Sequence, residues 1–126
     1  MTLIFVYGTL KRGGRNHHYL AGQTFVGDAC TTAGFRLYNL GGYPGMVADV
    51  SSPGCIKGEI WNIDQPCLAR LDELEGLRQG LYRREAIGIA PPFASSTVET
   101  YLYAQDVAGR PEIERAWLER REVGPG

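Results

Sequence analysis

Two histidines and three cysteines leave little material for metal or disulfide chemistry in this chain of 126 residues. His17 and His18 are sequence neighbours and cannot face one ion from one side of a helix. Cys30, Cys55 and Cys67 are odd in number and form no CxxC spacing, so neither a zinc site nor a disulfide framework is expected. An excess of charge is missing too: 13 Lys+Arg stand against 14 Asp+Glu, for a net charge of −1, with no long run of either sign. That removes the electrostatic footprint needed for nucleic acid or an anionic membrane surface, and a small molecule is the expected partner. No apolar run approaches the roughly 20 residues that span a bilayer. The chain opens on Leu3-Ile4-Phe5-Val6 with no basic leader and no small-residue cleavage site. A soluble cytoplasmic protein is expected. No repeat, low-complexity segment or linker divides it, and residues 1–126 read as one domain.

What is present is a set of short β-type segments around one clear helix. Residues 3 to 7, 24 to 30, 34 to 39, 55 to 63, 81 to 90 and 97 to 104 carry β-branched and aromatic residues between turn formers, predicting about six strands. Leu40-Gly41-Gly42-Tyr43-Pro44-Gly45-Met46 is dense in backbone punctuation and predicts a shaped loop. Asn16 can cap a short helix starting at His17. The clearest helix covers 64 to 75, with Asp64 as N-cap, Pro66 in its first turn and Gly76 as the stop. Pro111 is read as opening a second helix with Ile113, Ala116 and Trp117 on one stripe and Glu112, Glu119 and Arg121 outside. The tail Gly124-Pro125-Gly126 is read as frayed. Strands mixed with a few helices, without regular βαβ alternation, predict an α+β fold with a largely antiparallel, curled sheet.

Two features carry chemistry. At about 100° per residue, Cys67, Leu68, Leu71 and Leu74 define the core face of the 64 to 75 helix, and Glu75 falls on that same side. Glu73 points away and Asp72 lies at the border. A carboxyl turned inward at a helix C-terminus is desolvated and sits at the negative end of the macrodipole, and both effects raise its pKa. Such a group is suited to carrying a proton near neutral pH. The second feature is the loop Gly8-Thr9-Leu10-Lys11-Arg12-Gly13-Gly14 after the first strand. Its spacing is neither of the glycine patterns that bind nucleotides, but glycines here can aim successive N–H groups at an anion or a developing oxyanion. The remaining candidates read as structural. The histidines are placed on a helix surface, Tyr82, Tyr101 and Tyr103 as strand packing with hydroxyls at the edge, and Cys30 as a small buried hydrophobe.

Val6-Tyr7-Gly8-Thr9-Leu10-Lys11-Arg12-Gly13, followed by Asn16-His17, resembles the opening of the γ-glutamylcyclotransferase family, nearest its γ-glutamylamine cyclotransferase branch. Tyr43-Pro44-Gly45, Gly58-Glu59-Ile60-Trp61, Leu71-Asp72-Glu73-Leu74-Glu75 and Tyr82-Arg83-Arg84 match later landmarks of that family in order. The matched stretch runs from residue 3 to about 104. The resemblance implies a small, mixed, largely antiparallel β-barrel flanked by helices. It implies an enzyme that cyclises a γ-glutamyl amide or γ-glutamyl amino acid to 5-oxoproline and releases the free amine. Glu75 would be the general acid/base, and Tyr7, Gly8, Thr9, Leu10 and Tyr82 would bind substrate. The substrate's own α-amine is the nucleophile in such a reaction, so no cofactor and no metal are expected. The alternative reading is a non-catalytic binding module that keeps the pocket.

Overall fold

The structure is a computed structural model and describes residues 1–118. Eight strands, one α-helix and two short 3₁₀ turns follow each other along it: β1 (Thr2–Val6), β2 (Thr24–Cys30), β3 (Phe35–Asn39), β4 (Pro44–Ala48), β5 (Lys57–Ile63), α1 (Gln65–Leu74), β6 (Tyr82–Ile87), β7 (Val98–Tyr103) and β8 (Glu112–Ile113). The 3₁₀ turns cover His17–Leu20 and Leu77–Gln79.

Five strands form one sheet in the order β2-β5-β1-β7-β6, and β4-β3-β8 form a second. All pairings are antiparallel except β1 with β7, so the fold is α+β with a mostly antiparallel sheet, as expected. The expected barrel does not close among the described residues. The two edge strands of the large sheet meet only beyond their ends, where an isolated Thr31–Ile89 bridge and the Ala90 N–H donating to the Cys30 carbonyl at 2.9 Å join them.

β1 is the central strand, and its apolar run explains the layering. Ile4 and Val6 face the α1 side, packed with Trp61, Ile63, Cys67, Leu68 and Leu71. Phe5 and Tyr7 face the other way, against Leu37 and Met46 of the small sheet together with Ile60 and Leu102. A strand covered on both faces reads as a continuous hydrophobic segment instead of an alternating one.

Two expectations are corrected here. The punctuated segment 40 to 46 is not all loop: Gly41 and Gly42, both at φ near +105°, make the turn, and Pro44 and Gly45 already belong to β4. Proline is tolerated because β4 is the edge of its sheet, so its missing N–H breaks no ladder. The segment opened by Pro111 forms a strand instead of a helix. Leu37 pairs with Ile113, Tyr38 with Glu112, and the Asn39 N–H donates to the Pro111 carbonyl at 2.8 Å. Long-range pairing overrides a local pattern too short to hold a helix by itself. Glu119, Arg121 and the Gly124-Pro125-Gly126 tail lie outside the described residues.

Candidate active site

The helix that carries Glu75 is built as its sequence requires. The Asp64 carboxylate accepts from the Cys67 N–H at 2.9 Å, which caps the first turn and holds that carboxyl below the usual range. Cys67, Leu68 and Leu71 are buried while Glu73 is exposed. The last helical residue is Leu74, Glu75 is the C-cap, and Gly76 turns the chain at φ +67°.

Glu75 lines a cavity together with Tyr7, Gly8, Thr9, Leu10, Tyr43, Pro44, Tyr82, Thr100 and Tyr101, and with Phe5 and Val6 of β1. All six residues singled out in the sequence therefore share one cavity. Its free volume is about 50 Å³. One water occupies roughly 10–15 Å³ on this measure, so a compact polar group of several heavy atoms fits.

Among the described residues, no hydrogen-bond donor or cation pairs with the Glu75 carboxyl. Burial alone acts on it, and pushes its pKa up to about 7. The amides of Gly8, Thr9 and Leu10, which line the same cavity, have no acceptor among the described residues. A carboxyl without donors thus shares a cavity with donors that lack an acceptor.

The loop owes its shape to close backbone approach. A Cβ on Gly8 would stand 2.7 Å from Pro44 Cγ, and one on Gly14 would stand 2.2 Å from the Thr9 carbonyl oxygen. The Asn16 N–H donates to the Thr9 carbonyl at 2.9 Å, and the Asn16 side-chain amide donates to the Thr9 hydroxyl at 2.9 Å. Asn16 therefore ties down the loop and makes no side-chain cap on the 3₁₀ turn after it, contrary to the capping expectation. His17 likewise leaves the surface position expected for it. It is half-buried, with its Nδ1 3.0 Å from the Leu10 carbonyl and its ring edge-on to Trp61.

Tyr82 and Tyr101 are not edge groups, and Tyr7 is buried with them. The Tyr7 hydroxyl donates to the Tyr101 carbonyl at 2.5 Å and accepts from the Met46 N–H at 3.1 Å, joining β7 to β4 behind the cavity. The Tyr82 hydroxyl donates to the Pro44 carbonyl at 2.8 Å, so its single proton is already committed. Tyr101 donates to Asp72 at 2.7 Å, and Arg84 grips the same carboxylate with two bonds, at 3.0 and 3.1 Å. Burial raises all three phenols above their ordinary range, so they stay protonated.

Sequence reasoning overlooked Glu59. It is 6% exposed on β5 and accepts from the Arg12 N–H at 3.1 Å, the Arg12 Nε at 3.0 Å and the Trp61 Nε1 at 3.1 Å. Burial would push its carboxyl up, but these donors outweigh it and hold it below the usual range. The Arg12 guanidinium also lies 3.9 Å over the Phe25 ring and pairs with Asp28. A buried charge thereby anchors the loop that lines the cavity with Glu75. The available signal was a lone carboxylate in the middle of Gly58-Glu59-Ile60-Trp61, an otherwise apolar strand. Tyr43, Pro44, Thr100 and Tyr101 were not picked out as lining residues, because strands distant in sequence bring them there. Among the described residues no group of three His, Cys, Asp or Glu side chains converges to hold a metal.

Comparison with known proteins finds relatives that match most of the chain. The Escherichia coli K12 protein named γ-glutamylcyclotransferase family protein YtfP is 37% identical over 118 residues, covering 93% of this chain and 96% of its own. A rat protein named γ-glutamylaminecyclotransferase is 38% identical over 96 residues, 71% of this chain and 64% of its own. The crystal structure of a mouse AIG2-like protein superposes with a TM-score of 0.75 at 28% identity, covering 98% of this chain and 99% of that one. A family model described as γ-glutamyl cyclotransferase, AIG2-like, matches residues 4–119, and the chain belongs to that family.

Proposed function

We propose that this protein cyclises γ-glutamyl amides or γ-glutamyl amino acids to 5-oxoproline, releasing the amine or amino acid, with Glu75 as general acid/base. The observation that carries this reading is that the donor-free Glu75 carboxyl lines one cavity with Gly8, Thr9 and Leu10, whose amides have no acceptor among the described residues. The substrate's α-amine attacks its own γ-carbonyl carbon. A carbon–nitrogen bond forms, negative charge moves onto the carbonyl oxygen, and the amine proton passes to Glu75. Collapse of that intermediate breaks the bond to the leaving nitrogen, which takes the proton back from Glu75. One carboxyl near pH 7 serves both steps.

The loop amides supply donors for either the substrate's α-carboxylate or the developing oxyanion, and each lost oxyanion donor costs about 3 to 4 kcal/mol. Tyr7 and Tyr82 shape the cavity wall, and their committed protons keep them from competing for the reacting one. Holding the glutamyl chain folded supplies roughly 7 to 11 kcal/mol through proximity. A cavity of this size suits the glutamyl head, with the leaving group outside beside Tyr43, which is 37% exposed. Three free thiols among the described residues suit a cytoplasmic setting. No described helix is long and apolar enough to cross a membrane.

The test is 5-oxoproline release from a panel of γ-glutamyl amines, γ-glutamyl amino acids and γ-glutamyl-ε-lysine. The expected outcome is release from at least one class, with release of the matching amine in equal amount. Binding of 5-oxoproline or glutamate without turnover of any member would instead identify a binding module.

A further inference from the structure

Away from this cavity, the segment just before β5 and the end of β2 bring two cysteines together. Cys30 pairs in register with Lys57, and Cys55 lies two residues before Lys57, in the segment that leads into β5. The Thr31 N–H donates to the Ile56 carbonyl at 3.0 Å, which fixes that register. The two thiols lie close enough that each perturbs the other's proton, and both cysteines are half-buried and unbridged. Cys30 was expected to be a buried hydrophobe; it borders an open surface cavity of about 660 Å³ instead. A third group completes the arrangement. The Arg115 guanidinium reaches the Cys55 sulfur at 3.0 Å, and the Lys57 N–H donates to the Arg115 carbonyl at 2.9 Å, seating the arginine beside it.

We propose that Cys30 and Cys55 are a peroxide-reactive dithiol that closes to an intramolecular disulfide, with Cys55 as the attacking sulfur and Arg115 as its activator. The Arg115 hydrogen bond lowers the Cys55 thiol from its ordinary value, while burial, followed by the neighbouring Cys55, raises Cys30. The pair is thereby divided into one nucleophilic thiolate and one thiol that resolves it. The Cys55 thiolate attacks one oxygen of hydrogen peroxide, the O–O bond breaks, and sulfenic acid forms with hydroxide leaving as water. The Cys30 sulfur then displaces that sulfenic hydroxyl as a second water. Two thiols lose two electrons and two protons, and one peroxide becomes two waters. Cys67 is buried and its thiol is raised by that burial, which makes it an internal reference.

The test treats the native protein with hydrogen peroxide and follows free thiols and intact mass. The expected product is monomeric, 2 Da lighter because two protons are lost, with Cys30 and Cys55 joined and Cys67 still free. In Cys30→Ser a sulfenic acid should persist on Cys55 and be trapped by dimedone. Arg115→Gln, at an exposed side chain, should slow thiol loss several-fold, because it removes the hydrogen bond that favours the Cys55 thiolate. Loss of the three thiols at equal rates, disulfides only between molecules, or Arg115→Gln reacting as fast as wild type would overturn the proposal. Glu75 enters none of these readouts, so failure here leaves the proposed reaction standing.

Discussion

Glu75→Gln is expected to lower 5-oxoproline release by about 10²- to 10⁴-fold while leaving the fold and 5-oxoproline binding in place. The side chains are nearly the same shape, and the Glu75 carboxyl makes no hydrogen bond or ion pair among the described residues that the amide would forfeit. Only the ability to accept and return a proton is removed. Glu73→Gln is the matched control: it lies two positions earlier on the same chain turn, is exposed, and should leave turnover unchanged. In wild type the acid limb of kcat/KM should fall near pH 7, because the carboxyl must be ionised to take the amine proton and burial holds its pKa there. The measurement is initial-rate 5-oxoproline release for all three proteins on the best panel substrate. A Glu75→Gln rate within a few-fold of wild type would remove the glutamate from the chemistry.

The same substitution should stabilise the protein at alkaline pH. Glu75 has a folded-state pKa of about 7 against a reference of 4.5. Below pH 4.5 both the folded and unfolded chains carry the proton, and the group contributes no difference. As pH rises from 4.5 to 7 the unfolded chain releases that proton while the folded chain keeps it, so wild-type stability falls over this window. Above pH 7 the full loss is present, about 3 kcal/mol by linkage. Glutamine carries no such term, and the carboxylates held low elsewhere, among them Asp49, Glu59 and Asp64, are common to both proteins. Urea unfolding at pH 4.5 and pH 8 should therefore show Glu75→Gln level with wild type at the lower pH and more stable at the higher one. Equal stability at pH 8 would mean that the folded site carries the charge without penalty. The trade-off has the sense expected of a functional site, in which a desolvated ionisable group is kept at a cost in stability.

How much of this was readable in advance follows from the range of the interactions. Glu75 stood out because helical phase is local: Cys67, Leu68 and Leu71 fix the buried face within two turns, and the carboxyl must fall on it. Gly8 stood out because a glycine break after an apolar strand is also local. The rest of the cavity is not. Tyr101 and Thr100 come from β7, which pairs parallel to β1 from almost a hundred residues away, and Pro44 reaches Gly8 only because β4 packs over the large sheet. The strand at Pro44–Ala48 was hidden by its own turn chemistry, since an edge strand tolerates the proline and glycine that signal a loop. The strand at Glu112–Ile113 was hidden because its partner, β3, is remote in sequence. Glu59 was visible as a carboxylate among apolar neighbours, but its role needed Arg12, which approaches from the loop 47 residues earlier.

Titration of the Glu75 side-chain carboxyl by ¹³C NMR, with Glu75→Gln used to identify its resonance, bears most directly on the claim that a desolvated, donor-free carboxyl lines the cavity. A midpoint near pH 7 is the result this account predicts. A midpoint near the ordinary glutamate value of about 4.3 would mean that the carboxyl is solvated or paired, and would contradict it.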